Sequence, residues 1–151
     1  MPLNPILVAE DDPSDVFFLQ RIFKACRVRN PLEVVTGGLD VIGYISGEGK
    51  YADRNRYPMP AMILLDWFMS PGSGEQVLDW LQTQPKPNFP VVVLTGMQSL
   101  HEMRVAYQKG AHSFLVKPLE EGDVRNFLEK FRGIEVEPAA DASTPAPAAS
   151  A

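Results

Sequence analysis

Three short apolar runs without a single polar residue set the strongest limit on what this chain can fold into. They are ILVA at 6–9, MILL at 62–65 and VVVL at 91–94. A strand with one face in water alternates apolar and polar residues, so an unbroken run predicts a strand covered on both faces, as in a parallel sheet. Two further apolar runs, at 32–36 and 113–116, bring the number of predicted strands to five.

Segments with helical spacing lie between these runs. Asp12, Pro13 and Asp15 suit the cap, the first and the third position of a helix that continues through Cys26. Further helices are predicted at 38–45, 74–84, 100–109 and 121–131, with a long polar loop at 46–60. This alternation predicts an α/β fold of flavodoxin-like (βα)5 topology, a doubly wound parallel sheet in the strand order 2-1-3-4-5 with helices on both faces.

The composition argues against several classes of function. Of the 151 residues, 45% are hydrophobic and 22% are charged, which supplies enough apolar material for a core. The net charge is −5 and no apolar run approaches the ~20 residues of a membrane span, so we expect neither a nucleic-acid nor a membrane partner. Cys26 is the only cysteine and the first residues do not resemble a signal peptide, so a cytoplasmic location without disulfides is expected.

The end of the chain differs in composition from the rest. Seven of the last fourteen residues are alanine, three are proline, and none is a large apolar residue. Such a segment cannot bury enough surface to offset the entropy that is lost on ordering. The sequence therefore predicts one folded domain over residues 1–136 and a disordered Ala/Pro-rich tail over residues 137–151.

Polar residues follow the predicted strands at the ends that meet in a parallel sheet. Glu10 and Asp11 follow the first strand, Asp66 ends the third, Thr95 ends the fourth and Lys117 follows the fifth. Because the carboxyl ends of parallel strands share one edge, these side chains are predicted to share one crevice. Clustered carboxylates repel one another unless a cation lies among them, and Mg²⁺ prefers a few carboxylate oxygens.

A Mg²⁺ site beside a lysine and a threonine hydroxyl is suited to phosphoryl transfer. The metal and the ammonium group neutralise phosphoryl oxygens, while a carboxylate can act as the nucleophile. Asp66 suits that role because it stands alone at the end of a central strand. Both histidines, His101 and His112, lie away from the acids in the sequence, so zinc is not expected.

With these residues in place, the sequence resembles the receiver domain of bacterial two-component response regulators. The matching segments are ILVAEDDPSD, MILLDWFMSPGSG, VVVLTG and SFLVKP, and the resemblance covers residues 4–131. It implies that Asp66 accepts a phosphoryl group. It also implies that Glu10, Asp11 and Asp66 bind Mg²⁺ together with the backbone carbonyl of Phe68, where the family often has a polar or small side chain.

The resemblance also implies a conformational switch. Thr95 matches the switch hydroxyl, Phe114 the switch aromatic residue, and Lys117 the lysine that pairs with the phosphoryl group. Phe114 has no hydroxyl, so an inward rotamer can only pack. The Lys117–Pro118 bond is expected to be cis, an isomer that is essentially confined to bonds preceding proline.

The function implied by the resemblance is that of a single-domain response regulator, a signalling domain rather than an enzyme. Its partners would be a sensor histidine kinase or a phosphotransfer protein, and an unknown downstream protein; a homodimer is left open. The segment EGKYADRNRYPMPAMILLD, with an earlier NPLEVV, is similar to stand-alone regulators paired with bacterial phytochrome-type histidine kinases.

Two other classes of function stay open from the residues alone. One is an interaction or dimerisation module that keeps the receiver fold without phosphorylation, although the loss of Asp66 or Lys117 that would favour it is not seen. The other is a small flavodoxin-like enzyme or flavin carrier. Against it, Glu10, Asp11 and Asp12 stand where such a protein needs a loop that binds the FMN phosphate.

Two expectations concern side chains outside the strand ends. Trp67 follows Asp66 directly and is expected to lie partly exposed over the site. The basic residues of the long polar loop, Lys50, Arg54 and Arg56, are expected to be solvated, with recognition of a partner as the alternative.

Overall fold

The computed structural model describes residues 3–96 and 100–138, which form a single parallel sheet flanked by helices. The strands are β1 (Ile6–Ala9), β2 (Leu32–Val35), β3 (Met62–Asp66), β4 (Val91–Thr95) and β5 (Ser113–Val116). The helices are α1 (Pro13–Ala25), α2 (Gly38–Ser46), α3 (Gly74–Gln82), α4 (Leu100–Gln108) and α5 (Glu121–Leu128), with a 3₁₀ helix over Gly49–Ala52. Every neighbouring pair is parallel and the order is β2-β1-β3-β4-β5, which confirms the predicted fold.

The central strands bury both of their faces, as their unbroken apolar runs predict. Leu7 and Ile63 contribute to a core shared with α2, α3 and α4, while Ile6 and Met62 contribute to a second core shared with α1 and α5. Successive residues of a strand point to opposite faces, so one run of four apolar residues supplies both cores. The helices therefore cover the two faces of the sheet.

Local hydrogen bonds fix the helices that begin beside the carboxyl edge of the sheet. The Asp12 carboxylate accepts a hydrogen bond of 2.9 Å from the backbone N–H of Ser14, and Pro13 opens α1. Ser73 and Gln76 form a capping box at the start of α3. Caps of this kind satisfy N–H groups that have no partner within the helix.

The start of α2 packs against the loop that follows β3 through backbone atoms alone. The N–H of Gly38 donates to the carbonyl of Gly72 at 2.8 Å, and that of Leu39 donates to the carbonyl of Pro71 at 3.2 Å. A Cβ atom on Gly38 would lie 2.7 Å from the Gly72 carbonyl oxygen. Only a residue without a side chain permits this approach. We call this close backbone contact between Gly38 and Gly72 the glycine seam.

The segment 46–60, predicted as a polar loop, is more ordered than its composition indicates. Tyr51 is buried, and the hydroxyl of Tyr44 donates to the carbonyl of Pro58. The expectation that Arg54 is solvated is wrong, because its guanidinium donates to the carbonyls of Tyr44 and Ile45 at 2.8 Å. Both carbonyls belong to the last turn of α2, where the regular helical donors run out, and a fork-shaped donor can reach them together. The Tyr44 carbonyl also accepts a hydrogen bond of 3.2 Å from the backbone N–H of Gly47.

The final described residues are attached to the domain. Val28 and Val136 form an antiparallel bridge, and the N–H of Glu137 donates to the carbonyl of Arg27 at 2.9 Å. Most of the predicted tail, residues 139–151, lies outside the described residues, so its disorder stays a prediction. Across 3–96 and 100–138, no helix is long and apolar enough to cross a membrane.

The glycine seam gives a test of the fold. Gly38→Ala should lower the free energy of unfolding by about 1–3 kcal/mol, because the new methyl group meets backbone oxygens that cannot move aside cheaply. Gly122→Ala in α5 is the matched control, since its Cβ would meet nothing within 4 Å and alanine favours helix. Urea denaturation measures both; wild-type stability for Gly38→Ala would contradict the seam.

Candidate functional site

The polar residues at the strand ends converge at the carboxyl edge of the sheet, as the sequence predicts. Glu10 follows β1, Asp66 ends β3, Thr95 ends β4 and Lys117 follows β5. The side chains of Glu10, Asp66 and Thr95 are buried, with Glu10 only 1% and Asp66 7% exposed. Buried charge is costly unless it is paired, so the partners of these carboxylates decide what the site can do.

The ammonium group of Lys117 is the common partner of three carboxylates. Its Nζ lies 3.0 Å from Glu10 Oε1, 3.0 Å from Asp15 Oδ2 and 3.3 Å from Asp66 Oδ2. An ammonium group has three N–H donors, and here each one has a carboxylate acceptor. If all the acids are ionised, two negative charges in the group are left without a cation.

Burial and neighbouring charge change the acid–base properties of this group. The pKa of Glu10 is raised to about 7, first by burial and then by the hydrogen bond to Asp66, against the opposing effect of Lys117. Burial alone would lower the pKa of Lys117, but the hydrogen bonds to Glu10 and Asp15 and the charge of Asp66 raise it above its ordinary value. Lys117 therefore stays a cation, and the excess negative charge lies on the acids.

Asp15 is the site residue that the sequence analysis missed. It occupies the first turn of α1, where an acid is explained by the helix alone, and its side chain is 42% exposed. Its role is seen only in the folded chain, where its Oδ2 lies 3.0 Å from the Lys117 Nζ; no spacing in the sequence indicates this contact. Carboxylate oxygens of Glu10, Asp15 and Asp66 lie within 4.8 Å of one another.

Asp11 lies at the exposed rim of the site. Its Oδ2 accepts a hydrogen bond of 3.2 Å from the backbone N–H of Ser70, in the loop after β3. In the same loop, the N–H of Phe68 donates to Asp66 Oδ1 at 3.1 Å, and the Phe68 ring is 55% exposed. The loop therefore brings Asp11, Asp66 and the Phe68 backbone to one rim.

The donor set fits a hard divalent cation. Every candidate ligand is an oxygen atom, from the carboxylates of Glu10, Asp11, Asp15 and Asp66 or from the backbone. Mg²⁺ favours such oxygens and needs only one or two carboxylates. A cation would also relieve the excess negative charge that one lysine leaves.

The two residues predicted to form a switch, Thr95 and Phe114, line one small cavity together with Trp67 and Glu102. Phe114 packs edge-on against Tyr107 of α4, with ring centroids 4.8 Å apart. Trp67 is buried, so the expectation of a partly exposed indole is wrong; its Nε1 donates to Glu102 Oε1 of α4 at 2.9 Å. The Lys117–Pro118 bond is cis, as the resemblance implies.

Comparison with known proteins assigns the family. The model of the response regulator receiver domain matches residues 6–129, most of the chain. The chain belongs to the response regulator receiver domain family. Receiver domains are signalling domains of two-component systems, and this membership sets aside the flavin-carrier alternative.

Several relatives of this receiver domain are phytochrome regulators. It is 28% identical to the response regulator RPA3017 in red light signaling of R. palustris, with a TM-score of 0.79 over 92% of this chain and 100% of that one. The bacteriophytochrome response regulator RtBRR is also 28% identical, with a TM-score of 0.77 over 96% and 85% of the two chains. The probable methanogenesis regulatory protein FilR2 of Methanothrix harundinacea is 28% identical over 84% and 80% of the two chains.

The raised pKa of Glu10 predicts how the receiver domain responds to pH without divalent cations. Folded Glu10 keeps its proton up to about pH 7, while the unfolded chain loses it near the ordinary value of 4.5. The contribution of Glu10 to stability therefore falls as pH rises through this range. Glu10→Gln has no such proton, so its stability relative to wild type should rise between about pH 5 and pH 8, by up to about 3 kcal/mol.

Thermal unfolding in EDTA across this range measures the difference. Glu48→Gln, which removes an exposed carboxylate outside the site, is the control for a change of net charge. If the stabilities of wild type and Glu10→Gln changed with pH in the same way, the burial of Glu10 would have no energetic consequence.

Proposed function

We propose that this receiver domain accepts a phosphoryl group on Asp66 from a phosphohistidine of a sensor histidine kinase or a phosphotransfer protein, in a Mg²⁺-dependent step. One observation supports the proposal above all others: Asp66, at the end of a central strand, has the Lys117 ammonium 3.3 Å from its Oδ2. A carboxylate with a cation beside it can attack phosphorus while charge on the transferred group is neutralised.

The transfer is a displacement at phosphorus. An oxygen of Asp66 forms a bond to phosphorus as the bond from phosphorus to the donor imidazole nitrogen breaks, and the imidazole leaves with the electron pair and takes up a proton. The product is an acyl phosphate on Asp66. Lys117 changes little in position, because the phosphoryl group develops next to the carboxylate that it already contacts.

The acids would hold the divalent ion. Glu10, Asp11 and Asp66 with the Phe68 carbonyl are the proposed ligands, and Asp15 offers a further carboxylate oxygen within the same cluster. When bound, Mg²⁺ supplies positive charge that stabilises the transferred phosphoryl oxygens. A bound cation would stabilise the charged form of Glu10 most, because Glu10 is the most deeply buried of these acids.

Thr95 and Phe114 are the proposed switch. The phosphoryl group would attract the Thr95 hydroxyl at the end of β4, and Phe114 on the next strand would then move inward. Such a change is a shift between two packings of the same chain. It needs a free-energy difference of only a few kcal/mol between them. The altered surface of α4 and β5 would carry the signal to a downstream protein.

A phytochrome-type histidine kinase is the proposed phosphoryl donor. The support is the likeness to RPA3017, in red light signaling, and to RtBRR, a bacteriophytochrome response regulator, over most of each chain. The sequence similarity of the segment before β3 agrees with it.

Phosphorylation by a small donor tests the proposal directly. Acetyl phosphate with Mg²⁺ should add one phosphoryl group, about 80 Da, to the intact protein as measured by mass spectrometry. Asp66→Asn, which keeps the size of the side chain, should abolish the gain, and so should EDTA. A wild-type protein without an adduct would favour the interaction module that works without phosphorylation.

Phe68 should control how long the acyl phosphate lasts. Its ring is exposed and its N–H donates to Asp66, so we infer that the ring would cover the route of a hydrolytic water to the phosphorus. Phe68→Asn should therefore keep phosphorylation and shorten the half-life several-fold, followed by loss of the mass adduct after the donor is removed. Phe17→Asn, which replaces an aromatic ring that is 61% exposed on α1, is the control; equal half-lives for all three proteins would refute the role.

A further inference from the structure

The indole of Trp67 connects the phosphorylation site to helix α4. Trp67 follows Asp66 directly, and its Nε1 donates to Glu102 Oε1 at 2.9 Å, in the first turn of α4. On its other side the ring is confined, since a Cβ atom added to Gly74 would lie 3.1 Å from it. Trp67 is thus fixed to the sheet, and its hydrogen bond holds the beginning of α4.

Trp67 and Glu102 also border the space that the Phe114 ring would enter if it moved inward. A cavity of about 10 Å³ lies between Thr95 and Phe114, and its remaining wall consists of Trp67, Val93, Glu102 and Met103. This volume is at most that of one water molecule, so it cannot receive a phenyl ring. An inward movement of Phe114 therefore requires this wall to rearrange, and Glu102 and Met103 in the first turn of α4 form the part of it that belongs to a helix.

The two ends of α4 are held in different ways. Just beyond its last turn, Lys109 pairs with Asp79 at 2.6 Å and with Glu75 at 3.5 Å, both on α3. At its beginning, the side chain of Glu102 reaches the buried Trp67. Loss of the contact between Glu102 and Trp67 leaves the ion pairs of Lys109 in place. The beginning of α4 could then tilt while its far end stays attached to α3.

We propose that the Trp67–Glu102 hydrogen bond holds α4 in the unphosphorylated position and must break when the switch operates. The inference rests on the proposed function, because it takes phosphorylation of Asp66 as the event that favours the other packing. A bond that exists in only one of two states shifts their populations by its own free energy. Its removal should therefore favour the phosphorylated conformation.

Binding of beryllofluoride, a mimic of the phosphoryl group, measures this shift without chemistry. Isothermal titration calorimetry with saturating Mg²⁺ would compare wild type with Trp67→Phe and Glu102→Ala. Each variant should bind beryllofluoride about tenfold more tightly, the effect of about 1.4 kcal/mol expected for one hydrogen bond to a charged group. Glu102→Gln keeps an acceptor oxygen at the same length and should stay within about threefold of wild type.

The double variant distinguishes this pair from two separate effects. If the bond itself is the restraint, the gains of Trp67→Phe and Glu102→Ala should be clearly less than additive in the double variant, because the bond between the two side chains can be lost only once. Hydrogen exchange provides a second readout: the amides of α4 should exchange faster in each single variant than in wild type or Glu102→Gln, without any ligand.

The outcomes separate the two proposals. Wild-type affinity and exchange in Glu102→Ala, or additive gains in the double variant, would overturn the restraint while leaving phosphorylation intact. A wild-type protein that binds no beryllofluoride would instead overturn the proposed function, and the restraint with it. Thermal unfolding of every variant checks that it is folded, and Trp67→Phe, which removes the donor of the same bond, carries the test if Glu102→Ala does not fold.

Discussion

The ammonium group of Lys117 is the interaction on which the arrangement of this receiver domain depends. It allows Glu10 and Asp66 to be buried next to each other, which two carboxylates would not tolerate alone. The three partners lie 107, 102 and 51 residues from the lysine in sequence, so no local segment contains the site. It exists only when β1, α1, β3 and β5 are all in place, and its charge balance therefore depends on the complete fold.

The strand order explains why this edge of the sheet carries the site. The chain moves outward from β1 to β2 in one direction and from β3 to β4 and β5 in the other. At this reversal the loops after β1 and β3 diverge and leave a crevice. Glu10 and Asp66 border that crevice, and Lys117 enters it from the far side of β4. One lysine does not balance three carboxylates, so the crevice fits a divalent cation, whose charge would also offset that of the proposed phosphoryl group.

Much of this was predictable because two simple patterns dominate the sequence. Unbroken apolar runs are explained only by strands covered on both faces, and polar residues directly after such strands must meet at one edge. The position of Asp15 was not predictable in the same way, since an acid in the first turn of a helix already has a local explanation.

Arg54 and Trp67 were also not predictable, because their hydrogen-bond partners lie on other elements of the fold. Arg54 stands in a polar segment, and nothing near it in sequence indicates that the last carbonyls of α2 need a donor. Trp67 follows a strand end, where exposure is the simplest expectation, but Glu102 on α4 supplies a partner for its indole N–H and α3 confines its ring. Hydrogen-bond partners on other elements are brought close by the packing of those elements, and the spacing of residues in the sequence does not reveal them.

The loop after Asp66 contacts α2 and α4 in different ways, and the nature of each contact determines which of these two helices can respond. Toward α2 it is joined by two backbone hydrogen bonds across the glycine seam, where atoms are too close for either side to shift alone. Toward α4 it is joined by the side chains of Trp67 and Glu102, beside a small cavity. Side chains change rotamer far more readily than a close-packed backbone moves. On the proposed function, a change of charge at Asp66 would therefore move α4 more readily than α2.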